Sequence, residues 1–137
     1  MQLRFLCKSK IHHATVTQAD LHYVGSIGID ATLMRMADIL PHERVSVWNV
    51  NNGERIETYA LPLPADSGAI VANGAAARHF MRGDRIIIVA FALADEPIEP
   101  KMLVVDGDNR FLSWLPGEFT DEGVEEPIPT PSGSGPA

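Results

Sequence analysis

The sequence predicts a mainly β protein of one domain, a small closed barrel with two short helices, and three observations carry that prediction. Short runs rich in Val, Ile and Thr recur along the 137 residues between Gly, Pro, Asn and Asp, the punctuation of an all-β chain. Asn52-Gly53 stands between two such runs and is the residue pair that a tight hairpin turn requires. Residues 85–93 form an apolar run containing Ile86-Ile87-Ile88-Val89, the pattern of a strand buried on both faces at the middle of a structure.

The elements follow in order. Residues 2–8 and 11–17 read as two strands with a bend near Ser9-Lys10. Regular alternation in the second puts Ile11, His13 and Thr15 on one face and His12, Ala14 and Val16 on the other, with Lys10 on the His12 side. Residues 20–24 stay extended into Gly25-Ser26. Asp30 caps a short helix that buries Leu33, Met34 and Ala37 and stops at Pro41. Residues 45–50 alternate as a strand, and residues 54–61 form its hairpin partner, which Pro62 and Pro64 end or place at an edge. Residues 69–72 are another strand, Asn73-Gly74 turns into a short helix over 75–81, and Arg82-Gly83-Asp84 is a turn. Pro97 and Pro100 break the central run, and residues 102–105 and 111–114 pair around Asp106-Gly107-Asp108-Asn109. Five prolines from Pro116 onward, mixed with acids, Gly and Ser, mark residues 116–137 as a disordered acidic tail, which leaves 1–115 as the folded domain.

Composition excludes several function classes. The formal charge is −7, but the last 23 residues hold Glu118, Asp121, Glu122, Glu125 and Glu126 with no base, so the body lies near −2. Nucleic acid and anionic membrane surfaces both call for a basic face, and neither is expected as a partner. No segment approaches the roughly 20 apolar residues that span a bilayer, and the charged N-terminal run is not a secretory signal. Cys7 is the only cysteine, which excludes an internal disulfide and fits a reducing cytoplasm; as a residue it reads as a small, partly buried thiol. The five histidines show no metal-ligand spacing, so no metal is expected. A chain this short also leaves no room for a pyridoxal-phosphate fold, and no phosphate loop or nucleophile elbow is present.

Gly25-Ser26 carries the chemistry. A serine Oγ can attack the preceding carbonyl through a five-membered ring, which turns the amide into an ester, and a glycine in the acceptor position leaves that carbonyl open. Elimination from the ester and hydrolysis then leave a pyruvoyl group at residue 26. The dipeptide alone is common. Its setting is not: Ala19-Asp20-Leu21-His22-Tyr23-Val24-Gly25-Ser26 with Ile29-Asp30, then Trp48-Asn49-Val50, Asn52-Gly53-Glu54-Arg55, Thr58-Tyr59-Ala60 and Asn73-Gly74-Ala75-Ala76-Ala77. In this set the chain resembles the pyruvoyl-dependent aspartate 1-decarboxylases over about residues 1–93.

The resemblance implies a six-stranded double-psi β-barrel, self-cleaved into chains 1–25 and 26–137 and assembled as a homotetramer with sites between subunits. It implies decarboxylation of L-aspartate to β-alanine and CO2, in the service of pantothenate and coenzyme A synthesis, through a Schiff base on the covalent pyruvoyl group from Ser26. Within it Arg55 grips the side-chain carboxylate, Thr58 supports self-cleavage, and Tyr59 returns a proton to the substrate carbon. Lys10 and His12 form a basic pair that lines the substrate site, where a fixed positive charge suits a dicarboxylate. Asn73, Gly74, Ala75 and Ala76 open a helix whose free N–H groups suit an anion or an oxyanion. Trp48 and Tyr23 resemble residues near that site and also read as core aromatics. One tension stands: on an ideal strand Arg55 and Tyr59 face one way and Thr58 the other, so a shared site needs a bulge, a strand end or a neighbouring subunit. A small non-catalytic barrel that binds a ligand or partner would share the composition and the strand pattern; an intact mass, one chain or two, separates the readings.

Overall fold

The computed structural model describes residues 1–24 and 26–116. Within them the chain is mainly β, as expected, with nine strands: β1 (Arg4–Thr15), β2 (Gln18–Asp20), β3 (Ile27–Asp30), β4 (Arg44–Asn49), β5 (Arg55–Leu63), β6 (Ile70–Asn73), β7 (Arg85–Ala94), β8 (Lys101–Val105) and β9 (Phe111–Trp114). One α-helix, α1 (Ala31–Met36), follows β3, and a 3-10 helix, Gly74–Arg78, follows β6. The hydrogen-bonded order is β2-β6-β3-β5-β4-β7-β1-β8-β9. Among the described residues this ladder has two ends, β2 and β9, so a closed ring is not seen in the strand pairing itself. The expected cleavage bond and the tail fall at Gly25 and at residues 117–137, outside the described residues.

β7 sits between β4 and β1, antiparallel to both, and makes the middle of the sheet, where its apolar run had placed it. Its first half is buried on both faces at Ile88, Val89 and Ala90, but Phe91 and Leu93 emerge at 44% and 55% exposure. Ile11, Val47, Ile86, Ile88 and Leu103 form the fully buried centre with Ile27, Ile29, Leu33 and Ile70 from the other half of the molecule. Burying a side chain of this size contributes about 1.5–3 kcal/mol, so this cluster is the main driving force of the fold.

The hairpin at Asn52-Gly53 forms as expected, with Gly53 at φ +78 and Trp48 opposite Arg55. The Asp30 cap forms too: its carboxylate accepts from Thr32 N and also from Asp66 N and Gly68 N at 2.8–2.9 Å, which ties helix and loop together. Pro62 lies inside β5, opposite Ile29 of β3, but past the last residue that pairs with β4, so its missing N–H leaves no ladder bond unmade.

The structure corrects three local expectations. Residues 4–15 form one continuous strand, because the bend at Ser9-Lys10 is absorbed as a register shift against β7 between Cys7 and Ser9. A second shift, between Ile11 and Ala14, puts His13 at φ +64 and ends the strict alternation. His12 and His13 therefore do not face opposite ways: their rings stack with centroids 3.9 Å apart. Residues 20–24 are not extended either; β2 ends at Asp20, whose carboxylate accepts from His22 N at 3.0 Å and turns the chain.

Candidate active site

Ser26 stands at the entrance to β3, 6% exposed, where β5 and β6 flank the chain: the next residue, Ile27, is paired with Ala60 on one side and Ala72 on the other. Both ends of the residue are held by backbone. Its Oγ donates to the Tyr59 carbonyl, and its own carbonyl accepts from Asn73 N at 2.9 Å. Asn73 is itself 7% exposed and lies opposite Asp20 in the β2·β6 ladder. Gly74, at φ +59, then turns the chain into the 3-10 helix, the left-handed conformation that glycine adopts without a steric cost. Of the helix-start residues, Ala76 is buried and Ala75 exposed.

Arg55, Lys10, Trp48 and Tyr59 occupy a different surface. Residues opposite each other on neighbouring strands project from the same face. Lys10 lies opposite Val89, Val89 opposite Ser46 and Ser46 opposite Glu57, while Ile87 lies opposite Trp48 and Trp48 opposite Arg55. Lys10, Trp48 and Arg55 thus share the outer face of β1-β7-β4-β5. The Arg55 guanidinium carbon lies over Trp48, 4.2 Å from the ring centroid, a cation–π contact that holds the guanidinium at the indole. Arg44 is engaged by Glu57 on this same face, and Lys8 by Glu43 at 3.0 Å. Among the described residues neither Arg55 nor Lys10 has an acidic partner. A cleft of about 320 Å³ is lined by Phe5, Arg44, Ser46, Glu57, Val89 and Phe91, and by neither Arg55 nor Lys10.

β5 contains no bulge against β4, so the alternation holds to its end. Thr58 lies opposite Val45, which is 1% exposed, and faces inward; Tyr59, 40% exposed, faces outward with Arg55. The structure therefore brings Ser26 to the backbone of Tyr59 and not to its phenol. Four residues of strand, about 13 Å, separate Tyr59 from Arg55 along β5. A feature with no sequence signal is the His42 ring, stacked on Tyr59 with centroids 6.1 Å apart.

Burial changes the electrostatics of the basic pair. His12 is 7% exposed, and desolvation, aided by His13, Lys10 and Arg85, lowers its pKa from 6.5 to about 4. Near pH 7 the imidazole is neutral, so the fixed positive charge comes from Lys10 alone. His13 shifts in the same direction, again chiefly by desolvation, and the Nδ1 atoms of both rings are buried without a hydrogen-bond partner. Burial raises the Cys7 thiol, which suits the inert role expected of it. Among the described residues no cluster of three metal-ligating side chains occurs, and no helix is long and apolar enough to cross a membrane.

Fold and site together define a small mainly β protein with a buried serine clamped at a strand entrance and, on another face, a cationic and aromatic surface suited to carboxylates. A family model described as aspartate decarboxylase matches residues 1–112. The aspartate 1-decarboxylase of Acaryochloris marina is 55% identical over 112 residues, which cover 79% of this chain and 86% of that protein. Those of Moorella thermoacetica (51% over 119 residues; 84% and 93% covered) and Syntrophobacter fumaroxidans (54% over 114; 80% and 92%) are similar to the same extent. The chain belongs to the aspartate decarboxylase family.

Proposed function

We propose that the chain cuts its own Gly25-Ser26 bond and then, as a carboxy-lyase, converts L-aspartate to β-alanine and CO2. The observation that carries the reading is the backbone clamp on a buried Ser26 in a chain whose first 112 residues match the family. β-Alanine made in this way feeds pantothenate and coenzyme A synthesis in the cytoplasm.

Cleavage needs only groups of this chain. Ser26 Oγ attacks the Gly25 carbonyl carbon, its proton passes to the departing amide nitrogen, and an ester replaces the peptide bond. Loss of the Ser26 Cα proton expels the Gly25 carboxylate, and water converts the dehydroalanine left at residue 26 to a ketone with release of ammonia. Thr58 supports the acyl shift by donating toward the Gly25 carbonyl. The site fits the product: residue 26 is buried, and its carbonyl already has a donor in Asn73 N–H. Once formed, the pyruvoyl group supplies an electron sink for the carboxylate that departs.

The other residues bind, orient and move a proton. Arg55 forks onto the side-chain carboxylate retained in the product, since a strong pair with the departing carboxylate would stabilise the ground state more than the transition state. Lys10 adds a fixed charge on the same face, neutral His12 walls the site, and the N–H groups from Gly74 to Ala76 offer donors to anionic oxygen. Tyr59 gives its phenolic proton to the substrate α-carbon after CO2 leaves. The separation of Arg55 and Lys10 from Ser26 argues for a homotetramer in which one subunit's outer face completes its neighbour's serine site. Exposed Phe5, Phe91 and Leu93, with Phe5 opposite Leu93 in the ladder, supply apolar surface for that contact.

Intact mass spectrometry of the purified protein tests the reading. Two chains are expected, residues 1–25 and a second beginning at 26 with a hydrazine-reactive N-terminus, together with β-alanine formed from aspartate. A single uncut chain after prolonged warming would exclude it.

A further inference from the structure

The hairpin that carries Trp48 and Arg55 is fastened to the segment after the 3-10 helix by a buried polar node, and Asn49 is its centre. Asn49 is 3% exposed, on the inner side of β4, and has both of its donors and its acceptor oxygen engaged. Its Nδ2 donates to the His79 carbonyl at 3.0 Å and to Asp84 Oδ2 at 2.8 Å, and its Oδ1 accepts from Asn51 N at 2.9 Å. Asp84 Oδ2 also accepts from Met81 N at 2.9 Å, and Asn52 Nδ2 adds a second donor to the His79 carbonyl at 3.1 Å. Two backbone groups close the seam: Arg85 N donates to Asn51 Oδ1 at 2.7 Å and Val50 N to the Arg85 carbonyl at 2.8 Å. The residues on either side of the node are the ones the proposed chemistry uses. Trp48 precedes Asn49 directly and holds Arg55 at 4.2 Å, while the 3-10 helix, whose Ala76 carbonyl accepts from His79 N, begins at the Asn73 that binds Ser26.

We infer that Asn49 is a positioning residue for aspartate binding: it sets the hairpin against the 3-10 segment and thereby aims Arg55. The inference rests on the function proposed above. A fully satisfied buried network orients what it carries, and its loss leaves acceptors such as the His79 carbonyl and Asp84 short of a donor. Small misplacements of a binding group cost large factors in productive binding. Ser26 is held chiefly by the β3, β5 and β6 ladders and the Tyr59 carbonyl, and the Asn73 that also binds it is fixed by its pairing with Asp20, so self-cleavage is expected to depend little on the node.

The test compares wild type, Asn49→Asp, the double variant Asn49→Asp with Asp84→Asn, and Asn52→Ala, each measured as processed fraction by mass and as KM and kcat per processed chain. Asn49→Asp sets two carboxylates against each other and is expected to raise KM for aspartate at least about tenfold with little loss of cleavage. The double variant restores a donor between positions 49 and 84 and is expected to recover most of that KM. Asn52→Ala, at an exposed position, removes the second donor to the His79 carbonyl and with it the acceptor of Glu54 N, and its KM should rise about threefold. An Asn52→Ala enzyme with unchanged KM, or a double variant no better than a foldable Asn49→Asp, overturns the positioning role. Wild type that neither cleaves nor forms β-alanine instead sinks the proposed function itself, so the two failures are distinct.

Discussion

The entrance to β3 and the outer face of β1-β7-β4-β5 solve opposite problems. At Ser26 the hydroxyl and the carbonyl are engaged by backbone, the Tyr59 carbonyl and the Asn73 N–H, and the residue is nearly sealed from solvent. On the outer face Arg55 and Lys10 stand partly in solvent, aimed by packing on Trp48 and by strand register. A reaction of the chain on itself needs a fixed geometry that no substrate has to enter, and backbone ladders supply that. Capture of a small dicarboxylate needs charge within reach of water, and side chains supply that. The two regions should therefore respond differently to mutation.

The largest effects are expected on β5, where the proposed function assigns self-cleavage and proton transfer to adjacent residues. Thr58→Val removes an inward hydroxyl at nearly constant shape, so uncut precursor should accumulate, visible as one band on a gel. Tyr59→Phe should cut normally, because Ser26 bonds to the Tyr59 carbonyl, which the substitution leaves in place. Its yield of β-alanine per processed chain should fall by roughly 10²- to 10⁴-fold, the usual cost of losing a general acid. Equal processing and equal turnover in both variants would erase the distinction drawn here between the inner and outer faces of the strand.

Arg55→Lys sharpens the comparison from the other side. The charge stays but the fork and the guanidinium contact with Trp48 are lost, so KM for aspartate should rise by about tenfold or more while the processed fraction holds. Damage to cleavage of the same size would mean that Arg55 belongs to the scaffold of both regions.

The smallest effect is a pH dependence at the edge of the outer face. His12 has its folded-state pKa lowered to about 4 from an ordinary 6.5, so between these values the unfolded chain binds a proton that the native one refuses. Stability conferred by the neutral, buried imidazole is complete above pH 6.5 and is lost as pH falls toward 4. Thermal unfolding between pH 7 and 4.5 should show a falling midpoint, and His12→Gln should flatten that slope without altering cleavage at pH 7. An unchanged slope in the variant would assign the acid sensitivity elsewhere, His13 first, since it shifts in the same direction.

Much of this was legible in the sequence because it depends on neighbours in the chain. The cap at Asp30, the Asn52-Gly53 turn, the hairpin of β8 and β9 and the buried first half of β7 follow from local turn chemistry and from apolar periodicity, which act over a few residues whatever the rest of the chain does. The opposition of Thr58 and Tyr59 was equally plain, since a strand without a bulge has a period of two. Gly25 and the acidic tail, both singled out from sequence, lie outside the described residues.

What tertiary structure alone decided is where distant segments meet. No spacing in the sequence shows that residue 26 rests on the carbonyl of residue 59, or that Asn49 reaches the His79 carbonyl and Asp84. These contacts are made across strands, by hydrogen bonds whose register depends on the whole buried core. The neutrality of His12 has the same origin. Its ring lies beside His13 only because a register shift against β7 breaks the alternation, and its pKa follows from the burial that results. Local pattern determines which residues form a strand, because backbone and nearest side chains settle it. The partners that a strand brings to a serine or a histidine are set by the packing of the full sheet, which no single segment encodes.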